Sequence, residues 1–403
     1  MSEQGKEWLS QFEAGDQALA ARLVDEIMLV SRDDFVRGMS ELIGKVLASR
    51  SAANRPIALF AEREVQLNDE LEALPYFPNT SEGKATGPGI APILVDPENQ
   101  EVGSEGLLAN LITAYQRDRK DDVISHPGPD TMRERKVERI VIVADFIGSG
   151  KRVWEMLEAF RRVATLRSWR SYKLIEFVVI AYSATSLGVD RVASSKLKPR
   201  IVLATACPTL SDAFSGSDLS AVTALCRKYP HKAQFPIGYG WTGALIAFAH
   251  GIPNNAPAVL HSRKGGWKPL FRGRSTVGLL YDFPSLSNGS VAERASRLLQ
   301  LRVAKSHLDN TRTRAWIVTL LILDALAGGA RDAAKVSAKT RLPLDQVETT
   351  LGYLLVVGWA TARNALTPLG QREWARLRQR RQARPVLPKP GEPFYFPTQL
   401  RAR

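Results

Sequence analysis

The chain has 403 residues, 44% of them hydrophobic and 24% charged, which is ordinary usage for two or three globular domains and excludes a fibrous or low-complexity protein. Its formal net charge is +14, and residues 291–403 hold 20 Lys and Arg against 8 Asp and Glu, so nearly all the excess lies at the C-terminal end. That asymmetry excludes a uniformly basic body and points the C-terminal segment at a polyanion. The longest apolar stretches, around residues 177–184 and 316–323, are too short to span a bilayer, and the polar N-terminal residues lack the apolar core of a signal peptide. Cys207 and Cys226 stand far apart, which argues against both a zinc site and a disulfide framework; a reducing cytoplasm is the expected location.

Residues 6–50 read as helical, with Trp8, Phe12, Leu19, Leu23, Ile27, Phe35, Met39, Leu42 and Val46 recurring at helical spacing and Asp33-Asp34 opening a second helix. This N-terminal segment, residues 1–55, precedes an α/β domain over 56–285. A strand is expected at 56–61, a Pro- and Gly-rich exposed loop at 76–89, a short edge strand at 93–95 and a helix at 107–117. The apolar run at 140–144 is the strongest strand, of the kind buried in parallel sheets. Further strands are expected at 177–182, 201–204 and 258–261. Alternation of strands and helices predicts a mostly parallel sheet with helices on both faces. A boundary is expected at 284–289, a connecting helix over 290–310, a helical module over 311–382 and a Pro- and aromatic-rich tail over 383–403.

The segment Val143-Ala144-Asp145-Phe146-Ile147-Gly148-Ser149-Gly150-Lys151-Arg152 places an acid at the end of a buried strand, then a glycine turn, then a helix start. Glycines let the backbone N–H groups converge, and a helix N-terminus adds positive potential, so Gly148, Ser149, Gly150, Lys151 and Arg152 form a candidate phosphate cradle. Asp145, at the carboxyl end of its strand, is placed to accept hydrogen bonds from ribose hydroxyls or to hold a magnesium ion. A Walker loop would need Gly at 145 and Ser or Thr at 152, and a dinucleotide fingerprint would need Gly at 153, where Val153 stands. The pattern that fits is the phosphoribosyl-diphosphate motif of type I phosphoribosyltransferases.

The resemblance extends over residues 8–275. Ile57-Ala58-Leu59-Phe60-Ala61-Glu62-Arg63-Glu64, Gly103-Ser104-Glu105-Gly106, the glycine turn and Pro253-Asn254-Asn255-Ala256-Pro257 together resemble phosphoribosyltransferase-like proteins of bacterial conflict systems, including those encoded beside retron reverse transcriptases. The resemblance implies a type I phosphoribosyltransferase fold and an effector or regulator role in antiviral defence. It also implies a nucleotide or phosphoribosyl ligand, Mg2+ as a candidate cofactor, and a reverse transcriptase with its noncoding RNA or DNA product as partner. Asp145 is then the candidate catalytic residue and Arg63 the candidate basic residue of the pyrophosphate loop. The sequence departs from the pattern at Ala144, where active enzymes carry a second acid. Glu62 and Glu64 flank Arg63 and oppose a diphosphate, so ligand binding is favoured over transfer. His250, before Gly251, reads as the last residue of a helix, Asn254-Asn255 as a turn, and Trp267 and Phe271 as core anchors.

Residues 312–381 read as three helices, a wing and a fourth helix, which resembles a winged-helix domain, with Leu366-Thr367-Pro368-Leu369-Gly370 as its best-matched segment. The outward face of the third helix offers Asp345, Gln346, Glu348, Thr349, Thr350 and Tyr353 and no base, which disfavours insertion into a groove. Lys335, Lys339, Arg341, Arg363, Arg376 and Arg380 are the candidate contacts to a nucleic-acid backbone. Two rival functions remain at this point: a magnesium-dependent phosphoribosyltransferase, and a transcription regulator with a ligand-sensing α/β domain.

Overall fold

The computed structural model describes residues 3–51, 53–80, 83–90, 104–271, 283, 288–299 and 310–379. The strand expected at 93–95, the residues 284–287, the connection over 300–309, Arg380 and the tail lie outside them.

Strand character in the α/β domain follows from continuous apolar runs. β2 (Ile57–Ala61), β4 (Arg139–Ile147) and β5 (Glu176–Ala184) are buried along nearly their whole length, as strands covered on both faces must be. With β3 (Val123–Ser125) and β6 (Arg200–Ala206) they form a five-stranded parallel sheet, in the order β3-β2-β4-β5-β6. Alternate residues feed two cores. Ala58, Phe60, Ile140, Ile142, Phe177 and Val179 face α5 (Pro129–Glu134), α6 (Lys151–Arg162), α7 (Ala164–Ser171) and α8 (Ser186–Ala193). Ile57, Leu59, Val141, Val143, Val178 and Ile180 face α3 (Arg32–Ala48) and α4 (Ser104–Asp118). The Ser31 hydroxyl caps α3 by accepting from the Asp34 N–H at 3.1 Å.

Four local expectations change. The helical stretch expected over 6–50 is three helices, α1 (Glu3–Leu9), α2 (Gln17–Asp25) and α3, which opens at Asp33-Asp34 as expected, and a strand, β1 (Met28–Val30), interrupts it. β1 pairs in parallel with β7 (Ile246–Phe248), so His250 follows a strand and does not end a helix. The strand expected at 258–261 is a short helix, α11 (Ala258–His261), packed with α9 (Leu210–Ala213) and α10 (Gly216–Lys228); three apolar residues and a histidine suit either state. The loop at 76–89 is not wholly exposed: Phe77 is buried and the Tyr76 ring lies 4.2 Å from Phe160.

A separate apolar core holds the C-terminal module together. It contains α13 (Thr311–Ala327), α14 (Ala333–Thr340), α15 (Leu344–Val356) and α16 (Pro368–Gln379), with α12 (Asn288–Leu299) packed alongside. An antiparallel Ala360–Leu366 bridge makes the wing, and Thr367 caps α16 by accepting from the Gly370 N–H. α14 lies against β6, the edge of the large sheet. The Ser337 hydroxyl accepts from the Ala206 N–H at 3.1 Å, lies 3.2 Å from the Thr205 hydroxyl and donates to the Leu342 carbonyl. The module thereby covers an edge that would otherwise present unpaired backbone groups. Among the described residues, no helix is long and apolar enough to cross a membrane.

Candidate functional site

The carboxyl end of β4, central in its sheet, delivers Asp145 and then turns at residues 148–150 into α6. Gly150, at the helix start, has φ 71°, and a Cβ there would lie 2.6 Å from the Gly188 carbonyl oxygen. Both facts require glycine. A Cβ on Gly148 would stand 2.1 Å from Asn255 Oδ1, and one on Gly188 would stand 2.4 Å from the Gly148 oxygen. The turn is thus held at close range from two sides.

Each side is anchored by a hydrogen bond. The Thr185 hydroxyl donates to the Gly148 carbonyl at 2.6 Å and accepts from the Gly188 N–H at 3.0 Å, fixing β5's exit against the turn. Asn255 Nδ2 donates to the Tyr239 carbonyl at 2.9 Å. That bond braces a loop around Gly240, whose Cβ would approach Ser149 Cβ to 2.8 Å. Trp241, next along this loop, is 60% exposed. The Asn254-Asn255 turn expected from sequence is therefore also a wall of the turn.

Asp145 is fully buried, and His250 Nε2 lies within hydrogen-bond distance of its Oδ2, at 3.3 Å. The imidazole is stacked on Phe248, ring centroids 5.0 Å apart, and edged by Phe35. At the neighbouring end of β2, Arg63 is buried beside His126. The Ala61 N–H donates to His126 Nε2 at 2.9 Å, which leaves the ring proton on Nδ1, 2.8 Å from the Ser125 hydroxyl. Burial, and then the Arg63 charge, push the His126 pKa down to about 4, so the ring is neutral at physiological pH. Glu64 pairs with Arg152 at 2.7 Å, so one of the two acids flanking Arg63 is neutralised by the turn's own arginine. Lys151 lies 3.7 Å from Glu155, and its side chain is 44% exposed.

Asp145, Gly148, Ser149, Gly150, Lys151 and Arg152 thus lie together at the carboxyl end of the central strand, with Arg63 just past the end of the adjoining β2. Among the described residues, no three His, Cys, Asp or Glu side chains are grouped to hold a metal ion. The PRTase-CE family model matches residues 6–272. The chain belongs to the PRTase-CE family. A second model, wHTH-PRTase associated, matches residues 320–402, so the phosphoribosyltransferase-like domain is followed by a winged helix. Neither the comparison with curated proteins nor that with solved structures gives a match.

The basic residues of the winged helix are dispersed. Lys335, Arg363 and Arg376 are exposed, with Lys335 3.6 Å from Asp332 and Arg376 3.7 Å from Glu373. Lys339 Nζ lies against Gly328 at the C-terminal end of α13, where a cation favours the helix dipole. Arg341 faces inward, 3.2 Å from Glu26, which also lies 3.6 Å from Arg294. It joins the winged helix to the PRTase-CE domain.

Sequence reasoning did not reach Thr185, Gly188 or Trp241, and it misplaced His250. Thr185 and Gly188 reach the turn, Trp241 the loop beside it and His250 the preceding Asp145, all through tertiary topology.

Proposed function

We propose that the phosphate turn binds a nucleotide or another phosphoribosyl ligand. On this reading the chain is an effector in antiviral defence that docks, through its basic winged helix, on a complex of nucleic acid and protein. The observation that carries the ligand reading is the turn itself. It stands at the carboxyl end of a central parallel strand, its glycines are enforced by close packing, and Lys151 and Arg152 are both more than 40% exposed beside it. The defence role, and a reverse transcriptase with its noncoding RNA or DNA product as partner, rest on the resemblance to proteins of conflict systems.

Binding without transfer is the favoured chemistry. Active enzymes use two adjacent acids on the ribose hydroxyls, and here Ala144 stands for one while Asp145 is buried under His250. A single buried carboxylate is also a poor donor set for Mg2+, which demands near-octahedral oxygen ligation. The regulator reading is weakened by α15, whose outward face opens toward the PRTase-CE domain and away from a free major groove.

The test is calorimetric titration with phosphoribosyl diphosphate and with nucleoside monophosphates. Wild type is expected to bind at least one of them, and Lys151→Gln/Arg152→Gln to bind it at least tenfold more weakly, at about 1.5–3 kcal/mol per charged hydrogen bond lost. Absence of binding by wild type to every member at millimolar concentration overturns the reading.

A further inference from the structure

A second concavity lies away from the phosphate turn. A cleft of about 1250 Å³ separates α3 and the β6 edge from α13 and α15 of the winged helix. Arg312, Arg314 and Trp316 line it from the start of α13, and Gln346, Thr350 and Tyr353 from α15. Trp316 is 42% exposed and Tyr353 57% exposed, both more open than such rings usually are. Trp359 meets Trp316 edge-on, ring centroids 6.4 Å apart, which props the indole in place.

Charge in the cleft is unevenly matched. Asp345 is paired with Lys45 at 3.2 Å, Asp34 with Arg37, and Arg341 with Glu26 at 3.2 Å. Among the described residues, no carboxylate lies within ion-pair distance of Arg312 or Arg314, and Glu41 is the remaining acid on the walls. Two free guanidinium groups, two open aromatic rings and a row of hydroxyl and amide side chains meet in one cleft.

We infer that this cleft binds a single-stranded nucleic-acid segment, with Arg312 and Arg314 on phosphates and Trp316 and Tyr353 stacked on bases. Cations that track a backbone beside aromatic platforms are the general means of holding single strands. A duplex would need α15 to enter a major groove, and the Lys45–Asp345 pair ties the start of α15 to α3 on the opposite wall of the cleft. The inference rests on the docking role proposed above and moves its contact surface from the outer basic residues to the inter-domain cleft.

The full-length chain would be titrated, by fluorescence anisotropy over a salt series, against labelled 12-nucleotide dT and U strands and a 12-base-pair duplex. Wild type is expected to prefer the single strands, and the dT and U arms report whether DNA or RNA is held better. Arg312→Gln/Arg314→Gln is expected to lower the slope of log affinity against log salt by about 1.4, at roughly 0.7 per phosphate contact for a single strand. Tyr353→Ala, at an exposed position that folding does not depend on, is expected to weaken binding about tenfold, with Tyr353→Phe restoring it. A control, Lys335→Gln/Arg363→Gln/Arg376→Gln, alters the outer face alone. Binding lost in the control and unchanged in both cleft variants overturns the cleft while leaving docking intact. Equal affinity for duplex and single strand also overturns it. No binding of any nucleic acid by wild type overturns the docking role together with the cleft.

Discussion

His250 Nε2 sits 3.3 Å from Asp145 Oδ2, two residues 105 positions apart that are both buried at the end of β4. The contact exists because β1 and β7 pair, Val30 beside Phe248, and so bring the chain after β7 across the sheet's carboxyl edge. It ties the one acid of the phosphoribosyl motif to a second structural unit, and a buried polar group that loses a hydrogen-bond partner costs stability. His250→Phe, which preserves the ring stack on Phe248, is expected to destabilise the domain by about 1.5–3 kcal/mol in urea unfolding. An unchanged midpoint would show that this hydrogen bond does not support Asp145.

Gly150→Ala should be costly on two counts. The backbone there is left-handed, and the added Cβ would collide with the Gly188 carbonyl. A loss of about 1–3 kcal/mol is expected, read as a lowered thermal midpoint, together with loss of ligand binding. Gly216→Ala is the informative control. Its φ is also positive at 53° but nothing lies within 4 Å of the added Cβ, so it should cost the backbone strain alone.

Stability should rise with pH between about 4 and 6.5. His126 has its pKa pushed down to about 4 from 6.5, so in that window the unfolded chain binds a proton that the folded chain refuses. The contribution is fully present above 6.5 and disappears as pH falls toward 4, amounting to at most about 3 kcal/mol. His261, also held down by burial, adds in the same direction. The measurement is the urea midpoint against pH. His126→Gln, whose side-chain oxygen can still accept from the Ala61 N–H, should flatten the profile, and an unaltered profile in this variant would refute the assignment.

Ser337→Ala removes a hydroxyl that accepts from the Ala206 N–H and donates to the Leu342 carbonyl at the join between the two domains. The buried groups left behind should cost about 1–3 kcal/mol. The effect should be local, so hydrogen exchange at Ala206 is expected to quicken while exchange within β4 and β5 does not. Uniform quickening across the sheet would mean that the join is part of one cooperative unit.

The strand, turn and helix around residues 139–162 were legible because each has a local cause: an unbroken apolar run, glycines, and an apolar stripe on α6. The helices and wing of the C-terminal module were legible for similar reasons, with Gly328-Gly329, Pro343 and Thr367-Pro368 marking their ends. β1 and β7 were not, since three residues each are too few to reveal a period of two. Phe77 lay hidden in a Pro- and Gly-rich stretch, where its own bulk and that of Tyr76 were the contrary signal. Charge was the least legible property. Arg341 reads as a free cation in the sequence, and its partner Glu26 lies 315 positions earlier.

On the proposed function, the turn after Asp145 holds a phosphoribosyl or nucleotide ligand without transferring it. Phosphorus NMR of phosphoribosyl diphosphate mixed with the full-length protein reads both parts at once. Broadening or shift of the ligand's resonances, reversed in Lys151→Gln/Arg152→Gln, with no pyrophosphate signal emerging over hours, is the predicted result. Steady release of pyrophosphate by the wild-type protein, abolished in Asp145→Ala, would contradict it.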